Sequence, residues 1–316
     1  MQSKLQAATL LLSVLDHRIY LVIYKGADSS ASFHVKIMLM ILLILLFLGL
    51  MFGSFVNAFV WRLHEQDEVK SSKKPDKKYL NKLSIQKGRS MCTHCKHELA
   101  AKDLVPVLSW LYLRGKCRYC ASSIEDSPIV ELSTSLIFAL SYVFWPYEFH
   151  GIGLYYFVFW LIFLVAFVAL AVYDLRWYIL PDKIVFPIIL LALVQLIGSV
   201  VFYNLGWQAI ASAFWGVLIS SGLFYAVFVF SKEQWIGGGD VKLGIVIGIL
   251  IGGPMMSLLM LFTASSLGSL IGIPLLIAGK RKVRLPFGPF LLIATVITTL
   301  FGTSIINWYK LKTGIY

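Results

Sequence analysis

The chain has 316 residues, 59% hydrophobic and 14% charged, with a net charge of +12. Soluble domains carry about 25% charged residues, so this composition and a mean hydropathy of +0.80 exclude a soluble globular protein. No alternating polar pattern marks barrel strands, which leaves an all-α membrane protein, since hydrocarbon admits only helices or closed barrels.

In chain order, residues 1–37 come first as an extension of unknown role. Its apolar stretch "LQAATLLLSVLDHRIYLVIY" is interrupted by Asp16, His17 and Arg18. That makes a poor span, and no cleavage site follows a clean apolar core. Met38 or Met40 is an alternative start. Apolar runs then predict spans over 38–61, 129–146, 152–173, 184–203, 208–230, 241–253, 255–278 and 288–307, each judged against the roughly 20 residues a helix needs to cross. The sixth run is short, and Gly252, Gly253 and Pro254 are positioned to break it. The expected fold is a polytopic bundle of about eight transmembrane helices with one small loop domain. The expected divisions are a first helix at 38–63, a cytoplasmic loop domain at 64–127, a membrane core at 128–307 and a tail at 308–316.

The stretch 64–127 holds 13 Lys/Arg and 8 Asp/Glu. Other basic clusters are Arg176 with Lys183, Lys232 with Lys242, and "KRKVR" at 280–284, whereas 147–151 and 204–207 contain no Lys or Arg. Positive loops face the cytoplasm. Eight spans place every basic cluster on that side and both termini outside; Lys310 and Lys312 argue mildly the other way.

All four cysteines lie in the loop, as "CTHC" at 92–95 and "CRYC" at 117–120, with 21 residues between the pairs. This is zinc-ribbon spacing. Cys92, Cys95, Cys117 and Cys120 would fill a tetrahedron and leave no open position, so the expected site is structural, stapling a segment too small for its own core. The alternatives are two disulfides, which a reducing cytosol disfavours, or four idle thiols.

Two acids stand at span ends. Asp174 closes the third span in "YDLRWYILPDKI", and Asp240 opens the sixth in "GGGDVKL". The topology puts both at one depth on one side. Two close carboxylates share a proton, so one activates water while the other polarises a carbonyl. The glycines let a substrate backbone approach Asp240. Each acid also has a plain reading as a helix-end residue, and Asp182 reads as an interfacial loop acid.

Taken together, "GSFVNAFVWRL" at 53–63, the cysteine loop at 89–120 running into "PIVEL", "YDLRWYILPDKI", "GGGDVKL" and "LPFGPFL" at 285–291 resemble, in unbroken order, the prepilin leader peptidases. These are polytopic aspartic proteases of type IV pilus and type II secretion systems. The resemblance implies Asp174 and Asp240 as the catalytic acids. It implies cleavage of a basic leader after glycine, just before the hydrophobic helix of a prepilin or pseudopilin. It also implies N-methylation from S-adenosylmethionine, with Gly115 and Lys116 of "RGKC" carried over as cofactor-binding. Arg114, Lys116 and Arg118 read equally as a solvated basic face. The implied setting is the bacterial inner membrane with the active site at its cytoplasmic face. Lipid contact is expected at the lysine-rich insert 68–88, and no nucleic-acid partner. Two other classes stay open: a proton-coupled transporter, which would want mid-membrane acids and repeated halves, and a non-enzymatic zinc-ribbon scaffold.

Overall fold

The computed structural model describes residues 29–74, 76–85, 88–124, 128–279 and 285–314, with side chains from residue 35 onward. Most of the expected N-terminal extension and the basic cluster at 280–284 lie outside the described residues. Among those described, the protein is helical, with two isolated β-bridges and no strand.

Eight apolar helices build the bundle. They are α1 (Ser29–Ser71), α4 (Pro128–Val143), α5 (Gly151–Trp177), α6 (Asp182–Tyr203), α7 (Gly206–Phe230), α8 (Gly238–Ile251), α9 (Pro254–Ile277) and α10 (Gly288–Thr313). Six are long and apolar enough to cross a membrane, and α4 is a shorter apolar helix. The 14 residues of α8 rise only about 21 Å. The helix stops where expected: Gly252 and Gly253 both take positive φ, and Pro254 opens α9. Two short helices, α2 (Lys77–Lys82) and α3 (Leu108–Tyr112), lie in the loop between α1 and α4.

Close helix pairs are made where side chains are small, as membrane packing requires. Helices α7 and α8 are closely packed. A Cβ at Gly244 would lie 2.9 Å from Ser221 Cα, and Ser220 Oγ donates to Gly244 O at 2.7 Å. Helices α1 and α4 approach equally closely, with Gly53 against the Glu131 backbone and Ser135 Oγ donating to Leu46 O at 2.8 Å. At the centre runs α5, with Phe163, Leu164, Phe167 and Leu170 buried, packed against α1, α6 and α10. Large apolar side chains elsewhere, such as Leu39, Leu43 and Phe47 of α1, face outward, as a lipid-solvated surface permits.

Helix α1 does not end with its apolar run. It continues through "HEQDEVKS" to Ser71, because these polar residues include good helix formers. This extension carries the loop. Gln66 Nε2 donates to Leu83 O at 2.8 Å, and Tyr79 OH donates to Glu65 Oε1 at 2.7 Å. Its other side meets the bundle, where His64 stacks on Trp177 at 3.9 Å and Asp67 pairs with Lys183.

Candidate active site and cysteine centre

Asp174 sits in the last turn of α5, where the helix dipole opposes a negative charge. The structure compensates from another helix. Gly288 is the first residue of α10, so its N–H is one of the donors a helix start leaves unpaired. That N–H donates to Asp174 Oδ2 at 3.1 Å, and Asp174 as a whole residue is 6% exposed. A Cβ at Gly288 would lie 2.5 Å from the same oxygen. Only glycine lets the helix start come this close, which gives "LPFGPFL" a physical role that its local sequence does not reveal.

After Asp174 the chain turns through Tyr178, whose φ of 58° is left-handed and whose N–H returns to Asp174 O at 2.8 Å. Leu180 then wedges between the two glycine-bearing helix starts. A Cβ at Gly239 would lie 2.8 Å from Leu180 Cβ, and one at Gly288 would lie 3.4 Å from Leu180 Cδ2. Thus α8 seats its first turn against the loop that follows Asp174. Asp240 is the third residue of α8, where the dipole favours its charge. Leu180 is thus the side chain shared by Gly239, the residue before Asp240, and Gly288, the residue that holds Asp174. Both acids stand at the end of the bundle that carries the cysteine loop, not at mid-height.

Asp182 has a different place. It accepts from Lys242 Nζ at 2.6 Å, and that ammonium lies 5.2 Å over the Phe186 ring. The pair ties the start of α6 to the first turn of α8, two residues past Asp240.

The four cysteines converge. All four Sγ atoms lie within 4.8 Å of one another, and Cys92 and Cys120 are 3.9 Å apart. Four sulfurs at about 2.3 Å from a tetrahedral metal would be about 3.8 Å apart, so the cluster fits a metal ion. The two C-x-x-C turns are alike in detail. Cys92 N–H donates to His97 O and Cys117 N–H to Ser122 O. Lys96 and Ala121, each following the second cysteine of its turn, both have φ of 57°. Bridges Met91↔Glu98 and Lys116↔Ser123 close them. The Ser122 hydroxyl and N–H pull the Cys120 thiol down to about 6, whereas at Cys95, against the His97 backbone hydrogen bond, burial and the neighbouring sulfurs push the thiol up to about 11.

Gly115 and Lys116 stand at the rim of the second turn. Gly115 has φ +70°, and a Cβ there would lie 3.0 Å from the Trp110 indole. Lys116 is exposed and contributes a backbone bridge. Sequence reasoning did not single out Trp110, Glu131 or Arg62. Glu131 is buried at the start of α4 and accepts from Val107 N–H at 2.5 Å, which holds Val107 at φ 60°.

The profile described as "Bacterial Peptidase A24 N-terminal domain" matches residues 47–145, and that described as "Type IV leader peptidase family" matches residues 161–273. A relative from Aeromonas hydrophila, named prepilin leader peptidase/N-methyltransferase, is 34% identical over 273 residues, covering 82% of this chain and 90% of the relative. The chain belongs to the type IV leader peptidase family. A Bacillus subtilis relative of the same name is 32% identical over 72% of this chain and 87% of its own length. One from Escherichia coli, named type 4 prepilin-like proteins leader peptide-processing enzyme, is 29% identical over 79% and 90%. No solved structure matches the chain. The two profiles divide family membership between the parts of the chain that hold the cysteine cluster and Asp174 with Asp240.

Proposed function

We propose that the chain is a membrane aspartic endopeptidase that cuts the basic leader from type IV prepilin-like precursors after glycine, and then methylates the new N-terminus. The observation that supports the peptidase reading is the Gly288 N–H on Asp174 Oδ2, with Leu180 packed between that helix start and Gly239, the residue before Asp240. Interacting carboxylates titrate as a pair and hold one proton between them. The ionised member takes a proton from water, whose oxygen attacks the scissile carbonyl carbon. The protonated member gives its proton to the carbonyl oxygen. Collapse of the tetrahedral species breaks the C–N bond, and the amine leaves with a proton returned by the dyad. Gly237, Gly238 and Gly239 bring no side chains of their own to the approach to Asp240, which Leu180 and Phe228 border.

In this reading Cys92, Cys95, Cys117 and Cys120 hold one Zn2+, which closes a four-sulfur site and staples the loop domain 64–127. S-adenosylmethionine supplies an electrophilic methyl group to the new amine. The N-methyltransferase in the relatives' names supports this second step. The distribution of Lys and Arg supports placing both centres at the cytoplasmic face, and the bacterial relatives support the bacterial inner membrane as the setting. A basic leader and the apolar helix after it are the partner, and the basic insert 68–88 lies at anionic lipid.

The test mixes detergent-purified protein with a synthetic prepilin, with and without S-adenosylmethionine, and measures product masses. Expected are a leader ending in glycine and, with the cofactor, a mature product heavier by one methyl group. An uncut prepilin refutes the peptidase; a cut but never methylated product refutes the second step.

A further inference from the structure

We infer that the cavity at the end of the bundle away from the two acids is a binding site for a primary ammonium group, carried by a phospholipid headgroup or by a free amine. This site is separate from the acids and from the cysteine cluster, and it does not depend on the proposed chemistry of either.

The cavity exists because α8 is short. Its 14 residues rise about 21 Å, and the helix stops at Gly252 with bundle still to cross. The space beyond its end is about 200 Å³ and is lined, among others, by Trp145, Tyr147, Tyr156, Trp160 and Gln195. A water claims about 30 Å³ of liquid, so the space takes a small chemical group rather than one water. Trp160 lies 14 residues before Asp174 on α5, or about 21 Å along the helix, which sets the cavity far from the acids.

The floor of the cavity is a helix end that lacks amide partners. Gly252 N–H makes the last helical bond of α8, to Gly248 O at 3.0 Å. The Gly253 N–H donates to Ser212 O at 2.8 Å, so it is turned away from Ile249 O. Pro254 has no N–H to give Leu250 O. Ile249 and Leu250 both line the cavity, and the helix dipole places about half a negative charge at this end. Gln195 of α6 is 8% exposed. Its backbone O accepts from Tyr155 OH at 3.0 Å, while its side-chain amide, among the described residues, has no hydrogen-bond partner and opens on the cavity. The indole N–H groups are engaged elsewhere, Trp145 with Gly153 O at 3.2 Å and Trp160 with Ser141 Oγ at 3.0 Å. Their ring faces are what remains for a ligand.

No charged side chain lines the cavity. An anion would meet the negative end of a helix with no cation to hold it. A divalent metal would find no carboxylate, imidazole or thiolate. An apolar ligand would leave the carbonyls and the Gln195 amide unpaired, which is costly away from water. An ammonium answers each feature. Its three N–H donors suit Ile249 O, Leu250 O and Gln195 Oε1, its charge suits the helix end, and aromatic faces attract a cation. Helices that stop inside a membrane use their negative ends for cations in the same way. The connections 147–151 and 204–207, at this end of the bundle, carry no Lys or Arg to compete.

The test uses the purified full chain in phosphatidylglycerol bilayer discs free of amines. Native mass spectrometry measures binding of phosphatidylethanolamine, of its N-acetyl derivative, which lacks the ammonium, and of free ethanolamine. A phosphatidylethanolamine with a photoreactive group beside its headgroup maps the site, and thermal unfolding checks each variant for folding. Expected are one phosphatidylethanolamine per chain, competition by ethanolamine, no retention of the N-acetyl lipid, and cross-links within residues 145–160, 195–212 or 249–252. Tyr156→Leu and Gln195→Leu should each weaken binding about tenfold, and Tyr156→Phe should stay within about threefold. Binding of ethanolamine without retention of the lipid supports the site and assigns it to a free amine. Equal retention of the N-acetyl lipid, no binding of either amine, or cross-links elsewhere would overturn the proposal. So would displacement by potassium chloride but not lithium chloride, which marks an alkali-metal site. Should both leucine variants unfold, the wild-type cross-links and the N-acetyl comparison decide.

Discussion

Adding one carbon at Gly288 tests the proposed catalytic geometry without replacing either acid. In Gly288→Ala the new Cβ would start 2.5 Å from Asp174 Oδ2, and ordinary contact begins near 3.4 Å. The oxygen must retreat by about 0.9 Å, and the 3.1 Å bond from the Gly288 N–H stretches with it. Leu180, already 3.4 Å from the same point, blocks the way sideways. A misplacement of about 1 Å costs on the order of 100-fold in rate. Loss of a hydrogen bond to a charged group costs about 1.5–3 kcal/mol. The expected result is a cleavage kcat lower by about 100-fold with KM little changed, since the leader still binds. Initial rates on synthetic prepilin measure this, with Gly222→Ala as control. Gly222 lies inside α7, its nearest neighbour is a Leu218 methyl at 3.7 Å, and its replacement should be neutral. A Gly288→Ala protein that cuts within about threefold of wild type, against the order of 100-fold expected from such a displacement, would refute the reasoning.

Asp174→Asn and Asp240→Asn should each lower cleavage at least about 100-fold, measured in membranes at matched expression. Asp182→Asn should stay within a few-fold, because its half-exposed pair with Lys242 contributes only about 0–1 kcal/mol. Elemental analysis should find about one zinc per chain, lost in Cys92→Ser or Cys117→Ser; methylation should fail before cleavage. A single cysteine placed at Lys78 in a cysteine-free background should react with an impermeant label only after the membrane is opened. Labelling of intact cells would invert the topology.

The parts of this protein that depend on local pattern were legible in its sequence. Apolar length marked eight helices, and Gly252, Gly253 and Pro254 marked the break before α9. Paired C-x-x-C turns marked the sulfur cluster, which two knuckles can form wherever the chain between them closes. Hydropathy placed the end of the first span at 61 and did not see α1 continue to Ser71, because helix-forming polar residues leave no apolar signal. The contacts that shape the site were not legible. Gly288 reaches Asp174 across 114 residues, and Lys242 reaches Asp182 across 60. Nothing local in "LPFGPFL" says which carboxylate its N–H will meet. Trp110 and Arg62 read as an ordinary loop aromatic and an ordinary helix-end cation until folding closes a cleft around them.

The length of α1 has a mechanical consequence. Its apolar run ends at Trp61, and the ten residues from Arg62 to Ser71 rise about 15 Å beyond it. They form a post at the end of the bundle, with the sulfur cluster at its side. In a thinner or thicker membrane a lone helix tilts, and an arm of about 15 Å would swing its tip by roughly 3 Å for a tilt of about 10°. Here the post is braced at its foot by His64 on Trp177 and Asp67 with Lys183. Such contacts contribute about 0.2–1 kcal/mol each, comparable with a mismatch cost of fractions of a kcal/mol per ångström. Over a few ångströms of bilayer thickness, post and acid-bearing helices should therefore lean as one body, with the offset between the acids and the sulfur cluster set by these protein contacts.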